Sequence, residues 1–201
     1  TIIVAPEKGL CGGLVTNLER LVQNRNGLFI SVGTKARQII LRTHRRLYAD
    51  FTLGLNQPTY LTALPIVQLI SDNFRLGKIS RVTVVYTHFI NTLKQTAVEK
   101  VIIPVETPVE TKAGKEAFAQ YIFEPSVEEL LEDVLKHYLE VQFYQILLEA
   151  YASEQSARMV SMKNATDNAD GIIDELTLFY NKARQQEITS EIADLVKIES
   201  R

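Results

Sequence analysis

Apolar residues in this chain follow two patterns. Up to about residue 104, short apolar runs alternate with segments of helical spacing; from residue 126 onward one helical pattern continues without a break. Thr1–Ala5 is a β-branched run closed by Pro6, Gly9, Gly12 and Gly13, which predicts a buried strand ending in a loop. Leu14, Leu18, Leu21 and Val22 predict a helix to about Asn24, stopped near Gly27. Leu28–Val32 reads as a second strand ended at Gly33, and Thr34 as the cap of a helix to about Arg46. Leu47–Thr52 follows as a third strand. Asn56-Gln57-Pro58 marks a turn, and Thr59–Leu76 a helix closed by Gly77. Val82–His88 and Thr96–Pro104 are the clearest strands, joined by a turn at Phe89–Lys94; residues 105–120 read as a polar surface loop. Such alternation predicts an α/β domain with a mainly parallel sheet and one antiparallel edge.

Between Ser126 and Ile198 there is no proline and one glycine, Gly171. Pro125 marks the boundary, Ser126 suits an N-cap, and Glu128 and Glu129 favour the positive end of the helix. The domain division expected is 1–124 for the α/β domain and 125–201 for the helix. At about 1.5 Å per residue the helix would reach roughly 110 Å. A compact domain of the preceding residues would be only about 35 Å across. The apolar stripe is therefore expected to need a partner rather than its own domain. A strict three-four series (131, 134, 138, 141, 145, 148, 152, 155, 159, 162, 166, 169, 173, 176, 180, 183) is apolar at thirteen of its sixteen positions, Ala and Tyr included, which supports a coiled-coil seam. Ala152, Ala169 and Ala183 would let a partner helix come close. The series fails at Glu187 and resumes one position later at Ile188, Ile192 and Leu195, implying a local change of supercoil near Arg184–Glu187.

Composition sharpens this picture at one point. The chain of 201 residues is 46% hydrophobic and 23% charged, enough for one substantial core. The formal charge of −2 hides an asymmetry. Residues 1–125 hold 15 Lys and Arg against 9 Asp and Glu, whereas residues 126–201 hold 7 against 15. A basic head beside an acidic helix is consistent with a basic partner, or with a merely solvated acidic face. Cys11 stands alone, which rules out an internal disulfide and a CxxC pair. No run approaches the ~18 apolar residues of a membrane span. Thr1 opens directly into an apolar run without a leading Met, so the chain reads as part of a longer one.

Little chemistry is visible. Lys8-Gly9-Leu10-Cys11-Gly12-Gly13-Leu14 follows a strand and opens a helix, where a phosphate loop would sit, but it fits neither GxGxxG nor a P-loop. No acidic residue ends the second strand to hold a ribose. A tight turn for close strand–helix packing is the better account, and Cys11 reads as a small half-buried residue rather than an activated thiol. His44, His88 and His137 lack metal-ligand spacing, and the cluster Arg42, His44, Arg45, Arg46 lacks the aromatics of a nucleic-acid surface. The paired carboxylates of the helix sit at exposed positions. No catalytic residue, cofactor, metal or nucleic acid is expected. What stands out is a density of Asn, Thr and Asp on the helix, mediocre helix formers, which implies contacts with other chains.

At those residues the sequence resembles the gamma subunit of F-type ATP synthases. The matching blocks are Ala152–Met159, Met162–Asn168 and Tyr180–Ile192, with Lys8–Leu14, Phe89–Thr92 and Tyr121–Pro125 in order before them. The resemblance implies a small Rossmann-like domain with a mostly parallel sheet, followed by one very long C-terminal coiled-coil helix that rises into the ring of alpha and beta subunits. It implies a rotor shaft that couples turning of the membrane c ring to the catalytic beta sites without nucleotide chemistry of its own. Residue by residue, it aligns Arg184, Gln185, Thr189 and Glu191 with contacts to alpha and beta. It places Thr166, Asp167 and Asn168 on the middle shaft, Asp167 and Asn168 facing the same subunits, and Tyr121 and Glu124 on the c-ring and epsilon side. Family members also carry an N-terminal helix antiparallel to the last one, absent from this chain, and that absence would account for the bare seam. The paired cysteines of the thiol-regulated chloroplast form have no counterpart, and the usual small-residue tail is replaced by Val196–Arg201. The implied location is a peripheral complex on an energy-transducing membrane. A non-rotating paralogue or docking module, and a small nucleotide-dependent enzyme using the Gly9–Gly13 loop, are the alternative readings.

Overall fold

The computed structural model describes residues 1–23, 25–54, 56–105 and 126–199, with backbone only for 127–129 and 193–199. It divides into two units, Thr1–Arg158 and Met159–Arg201. The first contains β1 (Ile2–Val4), α1 (Leu14–Val22), β2 (Leu28–Val32), α2 (Thr34–Arg42), β3 (Arg46–Phe51), α3 (Tyr60–Arg75), β4 (Val82–Phe89) and β5 (Gln95–Ile103). It also contains the beginning of α4, the helix Val127–Glu199, which continues through the second unit.

The five strands form one sheet in the order β3-β2-β1-β4-β5. Pairs β3/β2, β2/β1 and β1/β4 are parallel, and β4/β5 is antiparallel, so the expected fold class holds. β1 is buried on both faces, and β4 is buried over its first six residues, as central strands of a covered parallel sheet must be. One face carries α1 and α2, packed through Leu14, Leu18, Val22, Ala36, Ile39 and Ile40. The other carries α3 through Ala63, Ile66, Val67 and Ile70. That second core also takes in Phe143, Ile146 and Leu147 of α4.

This last contact adds a second apolar side that the seam expectation did not include. Partly buried Leu139 and Ala150 extend the packed series, and Ala157 joins the core on the opposite face of the sheet. At about 100° per residue, the series 139, 143, 146, 147, 150 lies nearly opposite the three-four seam. The helix therefore has two apolar sides. One is satisfied by the sheet, while seam residues Leu131, Val134, Tyr138 and Val141 remain 42–60% exposed.

Element boundaries otherwise differ by a few residues, with one informative exception. α2 ends at Arg42 and β3 already begins at Arg46, because His44 adopts a left-handed conformation, φ 53°, that stops the helix. The N-cap of α2 is Gly33, at φ 96°, and not Thr34. Capping is supplied from elsewhere in the chain, as described below. The loop expected over 105–120 falls, from residue 106 on, outside the described residues, as do Tyr121, Glu124 and Pro125.

Candidate functional site

The sheet reverses direction of winding between β1 and β4, and in an open α/β fold the crevice beyond the carboxyl ends of such strands is where ligands bind. Here Glu7 and the α4 side chains Glu154 and Arg158 border that crevice. Glu7, just after β1, accepts the Thr34 hydroxyl and the Thr34 amide (3.1 Å) on one oxygen, and the Leu53 amide (2.7 Å) on the other. It therefore does for α2 what an N-cap side chain would do, from 27 residues away. Partial burial by itself would push the Glu7 carboxyl up. The bonds from the Thr34 hydroxyl and from the Leu53, Thr34 and Gly54 amides outweigh that and hold it below the ordinary value of 4.5.

A depressed folded-state pKa means a stabilisation present above the unfolded value of 4.5 and lost as pH falls through the folded pKa. Glu7→Gln is therefore expected to flatten the loss of stability on the acid side. Urea midpoints measured between about pH 6 and about pH 3 check this, and wild type and variant should converge at the acid end.

Beside Glu7 lies a cavity of about 300 Å³, bordered by Val4, Lys8, Leu14, Leu53, Thr87 and, from α4, Tyr151, Glu154 and Arg158. Its charged lining is mixed, with Lys8 and Arg158 beside the Glu7 and Glu154 carboxylates. The Gly9–Gly13 loop is a compact turn, with Leu10 and Gly12 at positive φ and Cys11 folded into the core at 2% exposure. Burial pushes the Cys11 thiol up, and the Glu154 charge adds to it, so the thiol is not activated. The turn serves strand–helix packing. Among the described residues no group of His, Cys, Asp and Glu could hold a metal ion.

From residue 149 to 158, α4 is bound to the sheet by polar contacts. Glu149 Oε2 lies 2.6 Å from His88 Nδ1, at the end of β4. Burial first, and then Glu149, push the Tyr86 hydroxyl up to about 12. Ser153 is wholly buried and donates to the Thr87 carbonyl at 3.0 Å. Arg158 pairs with Glu154 at 2.7 Å and donates to the Gly9 carbonyl at 3.5 Å. Nearer the start of α4, Tyr60 of α3 donates to Glu140 at 2.5 Å. The sequence reading missed Glu7 and Glu149, and took Ser153 as part of a polar surface where the structure buries it against the sheet. The available signal for Ser153 was its place in the buried series, ten residues after Phe143; for Glu7 and Glu149 no local signal exists, since their partners are distant in sequence.

In the second unit α4 is exposed on every side. Asp167, Asn168, Arg184, Gln185, Thr189 and Glu191 all project into solvent, and none of Asp167, Arg184 and Glu191 has an ion-pair partner among the described residues. Helical periodicity does not gather them into one cluster. Arg184 and Glu191 share a side next to the seam, whereas Asp167, Gln185 and Thr189 lie about a quarter-turn or more away. Thr189 donates back to the Gln185 carbonyl at 2.7 Å, and Thr166 to the Met162 carbonyl at 3.1 Å. Between them lie exposed Ile172, Ile173, Leu176, Leu178, Phe179 and Tyr180, each 57–74% accessible. Exposed apolar side chains at this density mark a surface that another chain covers. Among the described residues no helix is long and apolar enough to cross a membrane.

Comparison with known proteins agrees with this anatomy. Residues 1–197 match the profile of the ATP synthase family. The chain is 42% identical over 203 aligned positions to the ATP synthase gamma chain of Dehalococcoides mccartyi strain BAV1, covering 96% of this chain and 69% of that one. It is 39% identical to the ATP synthase gamma chain of Roseiflexus sp. strain RS-1, with the same coverage. In architecture it is similar to a chain of the Euglena gracilis mitochondrial ATP synthase OSCP/F1/c-ring structure. The TM-score is 0.74 at 18% identity, over 99% of this chain and 71% of that one. With the profile matched over almost its whole length and this identity to its relatives, the chain belongs to the ATP synthase gamma chain family.

Proposed function

We propose that this chain is the central rotor shaft of a proton-translocating ATP synthase, a non-catalytic subunit that links rotation of a c ring to the nucleotide states of the beta sites. The single observation that carries the reading is the exposed run of apolar side chains at residues 172–180 of α4, fused in one helix to a segment buried in the α/β unit. Such a helix gains stability once another surface covers that run. Its seam is complementary to an antiparallel helix of the kind the family carries at its N-terminus, and the surplus of acid on α4 favours a basic partner there. The remaining surface, with Asp167, Asn168, Gln185 and Thr189, is assigned to loops of the alpha and beta subunits, together with Arg184 and Glu191 at the seam's border. The c ring and epsilon are assigned to Tyr121 and Glu124, which lie outside the described residues. In this reading the chain is held at an energy-transducing membrane by its complex.

Co-purification of the full-length subunit with three alpha and three beta chains in a rotating, ATP-hydrolysing assembly tests this. A complex that forms but hydrolyses ATP without turning the subunit would instead make it a docking module. Within the assembly, Arg184→Ala with Gln185→Ala is expected to lower proton pumping per ATP hydrolysed several-fold, with no change in the helical content of the subunit. Lost polar contacts of this kind cost about 1–3 kcal/mol each when they involve charge. Undiminished pumping and turnover would remove these two residues from the coupling surface.

A further inference from the structure

α4 meets the sheet in two chemically different stretches. Leu139, Phe143, Ile146 and Leu147 contribute apolar packing, which sets how close the helix lies but has no intrinsic direction. One turn further on, the contacts become polar and directional. Ser153 donates to the Thr87 carbonyl at 3.0 Å, Glu149 meets His88 at 2.6 Å and also bonds Tyr86, and Arg158 reaches the Gly9 carbonyl at 3.5 Å. These anchors fall at the carboxyl ends of β4 and β1, the two strands at the reversal of the sheet. A rotation of α4 about its own axis moves a side chain by several ångströms per ~60° at its radius, enough to break every one of these bonds while leaving much apolar area in contact.

We infer that Ser153 and Arg158, with Glu149, form an azimuthal latch: positioning residues that stop the helix from turning about its axis against the sheet when torque passes through it. The inference rests on the central-shaft reading above and adds to it the place where the α/β unit grips its helix. Burial supports the assignment. Ser153 is fully enclosed, in a part of the helix where an alanine would pack equally well, and its hydroxyl is spent on a strand carbonyl rather than on its own helix.

The test uses the full-length subunit in its assembled complex. A bead is attached through Leu93→Cys, at the 82%-exposed tip of the β4–β5 turn; Cys11 is buried and stays unlabelled. With the catalytic sites locked by a non-hydrolysable nucleotide, angular fluctuation of the bead reports torsional stiffness. Ser153→Ala with Arg158→Gln removes two of four directional bonds, so the angular variance is expected to rise, by up to about twofold, while assembly yield and unloaded hydrolysis stay near wild type. Variance equal to wild type in the assembled double variant overturns the latch. Should Ser153→Ala impair assembly, Arg158→Gln with His88→Ala removes two bonds from less buried positions and carries the same expectation and the same refutation. A wild-type complex that never rotates would instead overturn the shaft reading, a result visible before any variant is made.

Discussion

Phe143→Ala is expected to lower the stability of the α/β unit by about 3–5 kcal/mol, the cost of emptying a buried aromatic site that cannot fully collapse. Phe143 has no exposed surface and sits where α4, α3 and the inner strands converge, with Ile146 and Leu147 beside it. It is therefore the chief apolar anchor of the helix on the sheet. Chemical denaturation of the chain should show a large fall in midpoint. The informative comparison is Val141→Ala, on the seam two residues away and 42% exposed. In the isolated chain that change should cost no more than about 0.5 kcal/mol. Once a partner helix covers the seam, the cost should rise toward that of a buried site. A large effect of Val141→Ala in the isolated chain would mean that the seam is already covered, contrary to the two-sided helix described above.

Gly33→Ala is the second large effect, expected to cost about 3 kcal/mol or more from backbone strain together with overpacking. Gly33 ends β2 at φ 96°, and a Cβ there would lie 2.1 Å from the Ala5 carbonyl oxygen. Relief by movement is blocked, because its amide donates to Phe51 at 2.8 Å and the next turn is tied down by Glu7. Gly171→Ala supplies the contrast. That glycine is helical, with nothing within 4 Å of its would-be Cβ, so the substitution should stabilise the helix of the isolated chain by about 0.5–1 kcal/mol. Thermal melts of the two variants should therefore move in opposite directions. Equal shifts would show that the strand-end geometry of Gly33 has been misread.

Much of this protein was legible as a string. Each strand and helix was expected near where it stands, since β-branched runs bounded by Gly and Pro, and Leu–Leu spacings of three and four, depend on local chemistry alone. The length of α4 followed from the lack of proline over residues 126–198. Its exposed seam followed from a periodicity that no folded contact interrupts. The blocks around Ser153–Met159 and Tyr180–Ile192 placed the chain in its family. That the helix's polar stretches contact other chains was legible from composition, whereas the assignment of Asp167, Asn168, Arg184, Gln185, Thr189 and Glu191 to particular subunits came through that resemblance.

What the sequence by itself determined, then, was the order of elements, the parallel character of the sheet, and the existence of one helix too long for its domain. The elements are set by interactions a few residues apart, and the parallel pairing follows from strands that alternate with helices. Tertiary structure decided the rest: that α4 has a second apolar side spent on the sheet, that Glu7 caps a helix 27 residues ahead of it, and that Ser153 closes on a strand carbonyl 66 residues behind it. Such pairings join groups whose separation along the chain carries no signal, because directional bonds between distant residues form only after apolar packing has brought them within reach.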